Sequence, residues 1–341
     1  MGGTTSVTIN PATLTYTANA ASMKYGNSVP ALSGSVSGFV GGETQATATT
    51  GTSAFSTLAG ATSHVGNYGV TGAGLSANNG NYTFSQAAGN STDLSITARA
   101  ISLSGTRTYD ATANVAAAQL VAGNIVNSDV VNLGGTATVS SKNVATYNSF
   151  ATNSLTSSNS DYTVIGGTTS VTINPATLTY TANAATMTYG NSVPALSGRV
   201  SGFVGGETQG TATTGTSAFS TLASATSHVG SYGVTGAGLS ANNGNYTFSQ
   251  AAGNSTDLSI TARAINLSGA RTYDATANVA AAQLVAGNIV NSDVVNLGGT
   301  ATIASKNVAT YNSFATNSLT SSNSDYTVIG GTTSVTINPA T

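Results

Sequence analysis

The sequence has no cysteine and no tryptophan, and only 5% of its 341 residues are charged. Without cysteine it can have neither a disulfide framework nor a thiolate metal site. Its eight lysines and arginines are spread along the chain, unlike the concentrated positive charge of nucleic-acid-binding proteins. No apolar run reaches the roughly 18 residues of a membrane-spanning helix, and residues 1–20 lack the pattern of a signal peptide. We therefore expect no nucleic-acid partner and no membrane insertion in this fragment, with any signal or anchor lying outside it.

What the sequence does contain is a long internal repeat. The octapeptide SVTINPAT begins at Ser6, Ser170 and Ser334, so the two spacings are equal (170 − 6 and 334 − 170). Residues 14–177 and 178–341 are two copies that differ at ten positions. Such near-identity indicates recent duplication, which adds length or valency more readily than chemistry. Residues 1–13 are predicted to be the end of a preceding repeat.

Each period divides once more. The segment around Ile96 has the apolar spacing of the segments around Ile9 and Ile173, and it lies near the middle of the period that separates them. Similar endings, NYTF from Asn81 and DYTV from Asp161, precede the later two segments. We predict two alternating domain types, which gives four domains in tandem: residues 14–97, 98–177, 178–261 and 262–341.

Alternating apolar and polar residues indicate strands throughout. Leu14, Tyr16 and Ala18 alternate with threonines, the pattern of a half-buried strand, and Gly-Gly and Asn-Gly pairs mark turns. The sequence predicts an all-β protein with at most one short helix in each domain. The joints between domains are short, as in the segment from Asn10 to Thr13, where Pro11 fixes its own backbone φ. Short extended joints favour an elongated rod.

Aromatic and aliphatic residues at the alternating positions are the candidates for the domain cores. In the first domain type these are Tyr16, Tyr25, Phe39, Phe55, Tyr68, Tyr82 and Phe84. In the second they are Leu103, Tyr109, Val130, Leu133, Tyr147, Phe150, Leu155 and Tyr162.

Ordered motifs in the two domain types resemble two known families. The first type carries MKYGNSVPAL from Met23 and VSGFVGGE from Val36, and it resembles the MBG ("mostly β-grasp") family. The second carries RTYDAT from Arg107 and resembles the YDG family, although Ala111 and Ala275 stand where that family usually has glycine. The resemblance implies small β-grasp-like domains from the tandem arrays of large bacterial surface exoproteins, including filamentous-haemagglutinin-like adhesins. It also implies an extracellular location.

Residues that carry chemistry are few. Each copy has one histidine and one glutamate, His64 and Glu43 in the first and His228 and Glu207 in the second. A Ser-His-Asp arrangement could use Asp93 or Asp110, but no nucleophile motif surrounds any serine. We therefore expect no catalysis and no cofactor, with His64 at a loop or edge.

Three further features have a structural and a functional interpretation. In the Tyr109-Asp110 pair we expect a core tyrosine and an aspartate that caps a turn, in preference to a binding site. A calcium site could use Asp110 and Asp129, with Asp274 and Asp293 in the second copy, together with backbone carbonyls. The carboxylates are scattered and form no calcium-loop motif, so no metal site is the main prediction. Lysine cross-links are not expected, because Lys24 is Thr188 in the second copy and only Lys142 and Lys306 repeat.

Two functional hypotheses remain. In the first, the chain is a non-catalytic stalk or spacer of a surface adhesin, monomeric in isolation, that projects a distal adhesive region. In the second, the repeats themselves bind a glycan or matrix polysaccharide, or self-associate between cells through many weak contacts.

Overall fold

The computed structural model of the protein describes residues 3–341. The chain divides between Asn174 and Pro175 into two compact units, unit 1 and unit 2. We call residues 12–97 and 99–174 the A half and the B half of unit 1, and residues 176–261 and 263–338 those of unit 2. The predicted boundary at residue 177 lies close to this division, whereas those at residues 97 and 261 lie inside the units.

The fold is all-β, as predicted, with 46% of the residues in strands and 8% in helices. Helix α1 (Gln45–Ala48) and helix α2 (Gln209–Ala212) are single turns in the two A halves. Short 3-10 helices lie at Asn78–Gly80, Ala88–Ser91, Ala117–Gln119, Asn242–Gly244, Ala252–Ser255 and Ala281–Gln283. In the described part of the chain, no helix has the length and apolar character needed to cross a membrane.

The strands of unit 1 fall into two groups, one in each half. The A half contains β1 (Ala12–Ala18), β2 (Ala21–Lys24), β3 (Gly34–Ser37), β4 (Thr49–Ser56), β5 (Gly66–Tyr68), β6 (Thr71–Ala77), β7 (Tyr82–Gln86) and β8 (Leu94–Thr97). The B half contains β9 (Arg99–Ala100), β10 (Ser102–Thr108), β11 (Asn114–Ala116), β12 (Leu120–Gly123), β13 (Leu133–Gly134), β14 (Thr136–Thr138), β15 (Ala145–Tyr147), β16 (Thr152–Asn153), β17 (Thr156–Ser157), β18 (Tyr162–Thr163) and β19 (Thr169–Asn174).

Unit 2 has the same elements. Its A half contains β20 (Ala176–Ala182), β21 (Ala185–Thr188), β22 (Gly198–Ser201), β23 (Thr213–Ser220), β24 (Gly230–Tyr232), β25 (Thr235–Ala241), β26 (Tyr246–Gln250) and β27 (Leu258–Thr261). Its B half contains β28 (Arg263–Ala264), β29 (Asn266–Thr272), β30 (Asn278–Ala280), β31 (Leu284–Gly287), β32 (Leu297–Gly298), β33 (Thr300–Thr302), β34 (Ala309–Tyr311), β35 (Thr316–Asn317), β36 (Thr320–Ser321), β37 (Tyr326–Thr327) and β38 (Thr333–Asn338).

Pairing between distant strands organises each A half. Strand β1 lies between β3 and β7 and runs parallel to β7, although five other strands separate the two along the chain. Strand β8 lies between β2 and β5, and β4 pairs with β6 across an irregularity after Gly51. The inward positions of β1 are buried, as the alternation predicts: Leu14 is 0% and Tyr16 2% exposed.

The B half is built around its last strand. Strand β19 lies in the four-stranded sheet β12-β10-β19-β15, parallel to β10 and antiparallel to β15. Val171 and Ile173 point from β19 into the core, each 1% exposed. Small sheets of two and three strands complete the half. One of them is the parallel pair of β9, the first strand of the half, with β18. The first two strands of the B half, β9 and β10, are therefore paired with its last two, β18 and β19.

Most predicted core residues are buried or half-buried, with one exception. Buried are Tyr16, Tyr25, Tyr82, Leu103, Tyr109, Leu155 and Tyr162. Half-buried are Phe39, Phe55, Tyr68, Phe84, Leu133, Tyr147 and Phe150. The prediction for Val130 is wrong, since its side chain is 74% exposed. Val130 lies in the loop between β12 and β13, where Asn127 and Ser128 take left-handed backbone conformations and no neighbouring strand covers it.

The two halves of unit 2 are not separately packed. In unit 2 one continuous cluster of buried residues includes Tyr189 and Leu258 of the A half and Leu267 and Ile337 of the B half. The sequence predicts small separate cores joined by short linkers, whereas the structure merges them across the junction. Since the hydrophobic contribution grows with the apolar area buried, sharing a core stabilises both halves.

Candidate functional site

Several polar and charged side chains of unit 1 gather where the A half meets the B half: one histidine, one arginine, two aspartates and two tyrosines. The central group is Asp161, whose side chain is 3% exposed. Its Oδ2 lies 2.6 Å from Nδ1 of His64, and its Oδ1 accepts a hydrogen bond from the backbone N–H of Val65 at 2.7 Å. Asp161 belongs to the B half and His64 to the A half, 97 residues away in sequence.

A local turn presents this carboxylate. The backbone N–H of Asp161 donates to Oδ1 of Asn159, and that of Asn159 donates to Oγ of Ser157. Such side-chain acceptors are typical of turns rich in Asn, Asp and Ser. They hold the loop so that the Asp161 carboxylate faces the A half.

The charges of the pair explain how a carboxylate is accommodated there. Burial by itself raises the pKa of Asp161, but the Val65 N–H and the His64 imidazole stabilise the anion, and the net pKa is lowered. The pKa of His64 is raised, first by its hydrogen bond to Asp161 and then by that residue's charge. The His64 side chain is 82% exposed, so, when the imidazole is protonated, the ion pair joins a buried anion to a solvated cation.

Two tyrosines pack beside this pair. The Tyr25 hydroxyl of the A half and the Tyr162 hydroxyl of the B half both donate to Oδ2 of Asp129, at 2.9 and 2.8 Å. The two rings meet edge to face, with centroids 5.5 Å apart, and the His64 ring is parallel to Tyr25. Burial and the Asp129 carboxylate raise the pKa of Tyr162, so this phenol remains a donor at neutral pH.

A single arginine, Arg99 at the start of the B half, donates hydrogen bonds to both halves. Nε of Arg99 donates to the carbonyl of Tyr25 at 2.8 Å, while its two terminal nitrogens donate to the side-chain oxygens of Asn27 and Asn124. Asn27 lies in the A half and Asn124 in the B half. The fork geometry of a guanidinium suits it to several acceptors at once, and Arg99 uses it as a bridge.

A glycine of the A half also lies at this junction, where a side chain of the B half comes close to its backbone. Gly26 has φ of +82°, and a Cβ added to it would lie 2.3 Å from Cγ2 of Val126 in the B half. The amide of Asn127 also donates to the carbonyl of Ala61, at 3.2 Å. We call these contacts, centred on His64, Tyr25, Arg99, Asp129 and Asp161, the junction network.

Unit 2 repeats the junction network. His228 and Asp325 are 2.6 Å apart, and Arg263 donates to the Tyr189 carbonyl at 2.7 Å. Gly190 has φ of +81°, and a Cβ there would lie 2.2 Å from Val290. None of the ten differences between the copies falls on these residues. The same interface is therefore built twice.

The arrangement resembles the positioning half of a catalytic triad, in which an aspartate orients a histidine. The acidic partner of His64 is Asp161, and not Asp93 or Asp110, the two candidates from the sequence. The pair connects the two halves of the unit, because Asp161 of the B half also accepts the Val65 N–H of the A half. Within the A half, the His64 carbonyl accepts the Tyr68 hydroxyl. What this geometry does is hold a loop of the A half against the B half.

The Tyr109-Asp110 motif forms a turn, as expected. Oδ1 of Asp110 accepts hydrogen bonds from the N–H and hydroxyl of Thr112 and lies 2.6 Å from the Arg107 guanidinium. Tyr109 is 1% exposed. Ala111, where the resemblance predicts glycine, has φ of +65°, so the left-handed turn persists with a residue that it does not favour.

The residues proposed for calcium are engaged with donors of the chain itself. Asp110 holds Arg107 and Thr112, and Asp129 holds the two tyrosines. In unit 2, Asp274 holds Arg271, with its pKa lowered to about 2 by hydrogen bonds from Thr276 and Arg271, and Asp293 holds the Tyr326 hydroxyl. Within residues 3–341 no three His, Cys, Asp or Glu residues cluster as a metal site would need. The main prediction of no metal site and the alternative of a calcium site both stay predictions.

Contacts within the chain are also made by the remaining residues considered for function, Glu43, Glu207 and Lys142. Oε2 of Glu43 accepts the Tyr82 hydroxyl at 2.5 Å, and Glu207 accepts Tyr246 at 2.8 Å. Lys142 lies over the Tyr109 ring, 5.9 Å from its centroid.

Comparison with known protein families finds a matching domain in the A half of each unit. Residues 14–92 and 178–256 match the MBG domain (YGX type), which confirms the predicted resemblance for the two A halves. A Tyr-Gly-X tripeptide of these segments, Tyr25-Gly26-Asn27, supplies three of the groups in the junction network. A comparison with curated proteins gives no significant match.

Proposed function

We propose that this chain is a non-catalytic spacer region of a large extracellular bacterial surface adhesin, in which each A–B unit is one stiff element of a rod-like stalk. The second domain type, residues 98–177 and 262–341, which contains the B halves, is proposed to be a YDG domain. The observation that carries the proposal is the junction network, which is the same in both units. It uses the lone histidine of each copy, with an aspartate, an arginine and two tyrosines, to hold one half against the other.

Mechanical considerations support this assignment. A freely jointed junction would let each half rotate, whereas in unit 2 a bridging arginine, an ion pair and a shared apolar core connect the halves. The connection between units is also short: β19 ends at Asn174, β20 begins at Ala176, and Pro175 between them fixes its own backbone φ. Near-identical units in series would add length in equal steps.

The test is an adhesion assay with a defined ligand. Beads display the chain by one end, with one, two or four A–B units and a small adhesive peptide at the other end, and face a peptide receptor surface behind a polymer brush. We expect adhesion to rise with the number of units, because each extends the peptide further. A matched set without the peptide is the control. Adhesion of that control set to glycan-coated or bare surfaces would show that the repeats themselves bind, and would overturn the spacer assignment.

A further inference from the structure

In each B half the first strands and the last strands lie side by side and run in the same direction. Strand β29 pairs in parallel with β38 over six residue pairs, the last of which is Thr272 with Asn338. Before it in the chain, β28 pairs in parallel with β37. Unit 1 has the same two pairings, of β10 with β19 and of β9 with β18. The segment by which the chain enters a B half is therefore paired with the segment by which it leaves.

The A halves are closed in the same way. In unit 2, β20 runs parallel to β26 and β21 runs parallel to β27, and these are the first two and the last two strands of the half. Strand β27 ends at Thr261 and β28 begins at Arg263, so a single residue connects the two halves. A force applied to the ends of the chain has to pass through each half in turn, because the halves follow one another along one polypeptide.

The parallel direction decides how such a force loads the ladder of hydrogen bonds between β29 and β38. When the ends of a B half are drawn apart, β29 is pulled at its N-terminal end and β38 at its C-terminal end. In a parallel pair these two points lie at opposite ends of the ladder, about 17 Å apart along the strands for six residues. The strands are then pulled past one another along their length. The hydrogen bonds of a parallel pair are evenly spaced, so all of them share the load and none is broken alone.

The surroundings of β38 resist such sliding. The strand is interior to the four-stranded sheet, between β29 and β34, so its movement breaks pairings on both edges. Its Val335 and Ile337 are each 1% exposed, and both would have to leave the core. Beyond the last residue pair, the N–H of Tyr273 still donates to the carbonyl of Asn338 at 2.9 Å. The ladder is thus closed at the end where the chain leaves the half.

We propose that the ladder between β29 and β38, with its counterpart between β10 and β19, is the load-bearing element of each B half and resists forced unfolding when the chain is pulled by its ends. The proposal deepens the spacer function and rests on it for the source of the load, because a stalk that holds an adhesive region is pulled along its length. Forced unfolding is governed by the rate of unfolding. The resistance therefore depends on the direction of the pull as well as on the equilibrium stability.

Single-molecule force spectroscopy on the full chain tests this direction dependence, with maleimide handles on cysteines introduced into a protein that has none. The shear variant carries Asn266→Cys and Asn338→Cys, at opposite ends of the ladder. The peel variant carries Asn266→Cys and Thr332→Cys, which lie at the same end, where the Thr332 N–H donates to Oδ1 of Asn266. Loss of the Asn266 side chain is common to both. We expect a several-fold higher unfolding force in the shear variant, because peeling breaks the pairs one after another.

A matched pair of truncations locates the resistance. Val335 on β38 and Val279 on β30 are 1% and 0% exposed, and each is changed to alanine in the shear variant. Both changes should lower the urea midpoint, whereas Val335→Ala should lower the unfolding force in shear clearly more than Val279→Ala. Equal forces in the two pulling directions, or an equal loss from the two truncations, would overturn the proposal. Either result would leave the spacer assignment in place, since beads without the adhesive peptide test that separately.

Discussion

Replacing Gly26 and Gly190 by alanine tests directly whether the two halves of each unit pack against one another. Both glycines have φ near +80°, and an added Cβ would lie 2.3 and 2.2 Å from Val126 and Val290. The substitution in both units combines two costs. The left-handed backbone costs about 1–2 kcal/mol for a residue with a side chain, and overpacking adds about 1–3 kcal/mol.

A matched pair of glycines separates these costs. Gly42 and Gly206 have φ of +80° and +76°, and nothing lies within 4 Å of a Cβ added to either. Gly42→Ala with Gly206→Ala should therefore show the backbone cost alone. Because any change in the entropy of the unfolded chain is common to both pairs, the difference between them isolates the steric contact and should be about 1–3 kcal/mol per unit.

Urea unfolding followed by circular dichroism measures these free energies, with both units changed so that their transitions coincide. Adding Val126→Ala and Val290→Ala removes the methyl groups that the new Cβ atoms meet, and the cost of the Gly26 and Gly190 substitutions should fall towards that of the control pair. If Gly26→Ala with Gly190→Ala costs no more than the control pair, the halves are not in close contact and the junction network is refuted.

Four further outcomes are expected. In the folded protein the pKa of His64 is raised, so its contribution to stability is complete below the unfolded value of about 6.5 and is lost as the pH rises through the folded value. Urea unfolding from pH 5.5 to 9 should show this fall in the free energy of unfolding for the original chain and not for His64→Asn with His228→Asn. An unchanged pH dependence in the variant would contradict the ion pair. Ala111→Gly with Ala275→Gly should stabilise each unit by about 1 kcal/mol, because φ is +65° at both, and a lower urea midpoint would refute the strain. Tyr82→Ala should cost about 3–5 kcal/mol, because the ring is 5% exposed; a null effect in the same melts would remove it from the core. EDTA should leave the melting temperature unchanged, and a fall that calcium reverses would establish a calcium site.

The all-β class and the residues of many strands follow from the sequence because they depend on local patterns. In β1 the alternation of Leu14, Tyr16 and Ala18 with threonines is enough to say which side chains point inward. The turn at Asp110 is equally local, since its carboxylate bonds to a residue two positions later. Val130 shows where the pattern fails: a β-branched residue between turn residues has no partner strand and stays exposed.

The candidate site could not be found in this way. His64 and Asp161 are both visible as rare charged residues, but they are 97 positions apart and no spacing rule connects them. Composition alone makes Asp129 a candidate calcium ligand, whereas its role as acceptor for Tyr25 and Tyr162 depends on two halves meeting. Arg99 gives no signal beyond its charge. The only local indication is the Tyr25-Gly26-Asn27 tripeptide, in which a glycine follows an aromatic residue.

The sequence by itself determined the long repeat period, the alternation of two segment types and the β-rich character of both. These are properties of neighbouring residues and of self-comparison. Only the tertiary structure decided that the A and B halves share one core in unit 2, that β1 pairs with β7 and β10 with β19, and that the charged residues meet at the junction. Parallel pairings and junction contacts join residues that are far apart in the sequence, and their formation depends on the packing of whole halves and not on local preference.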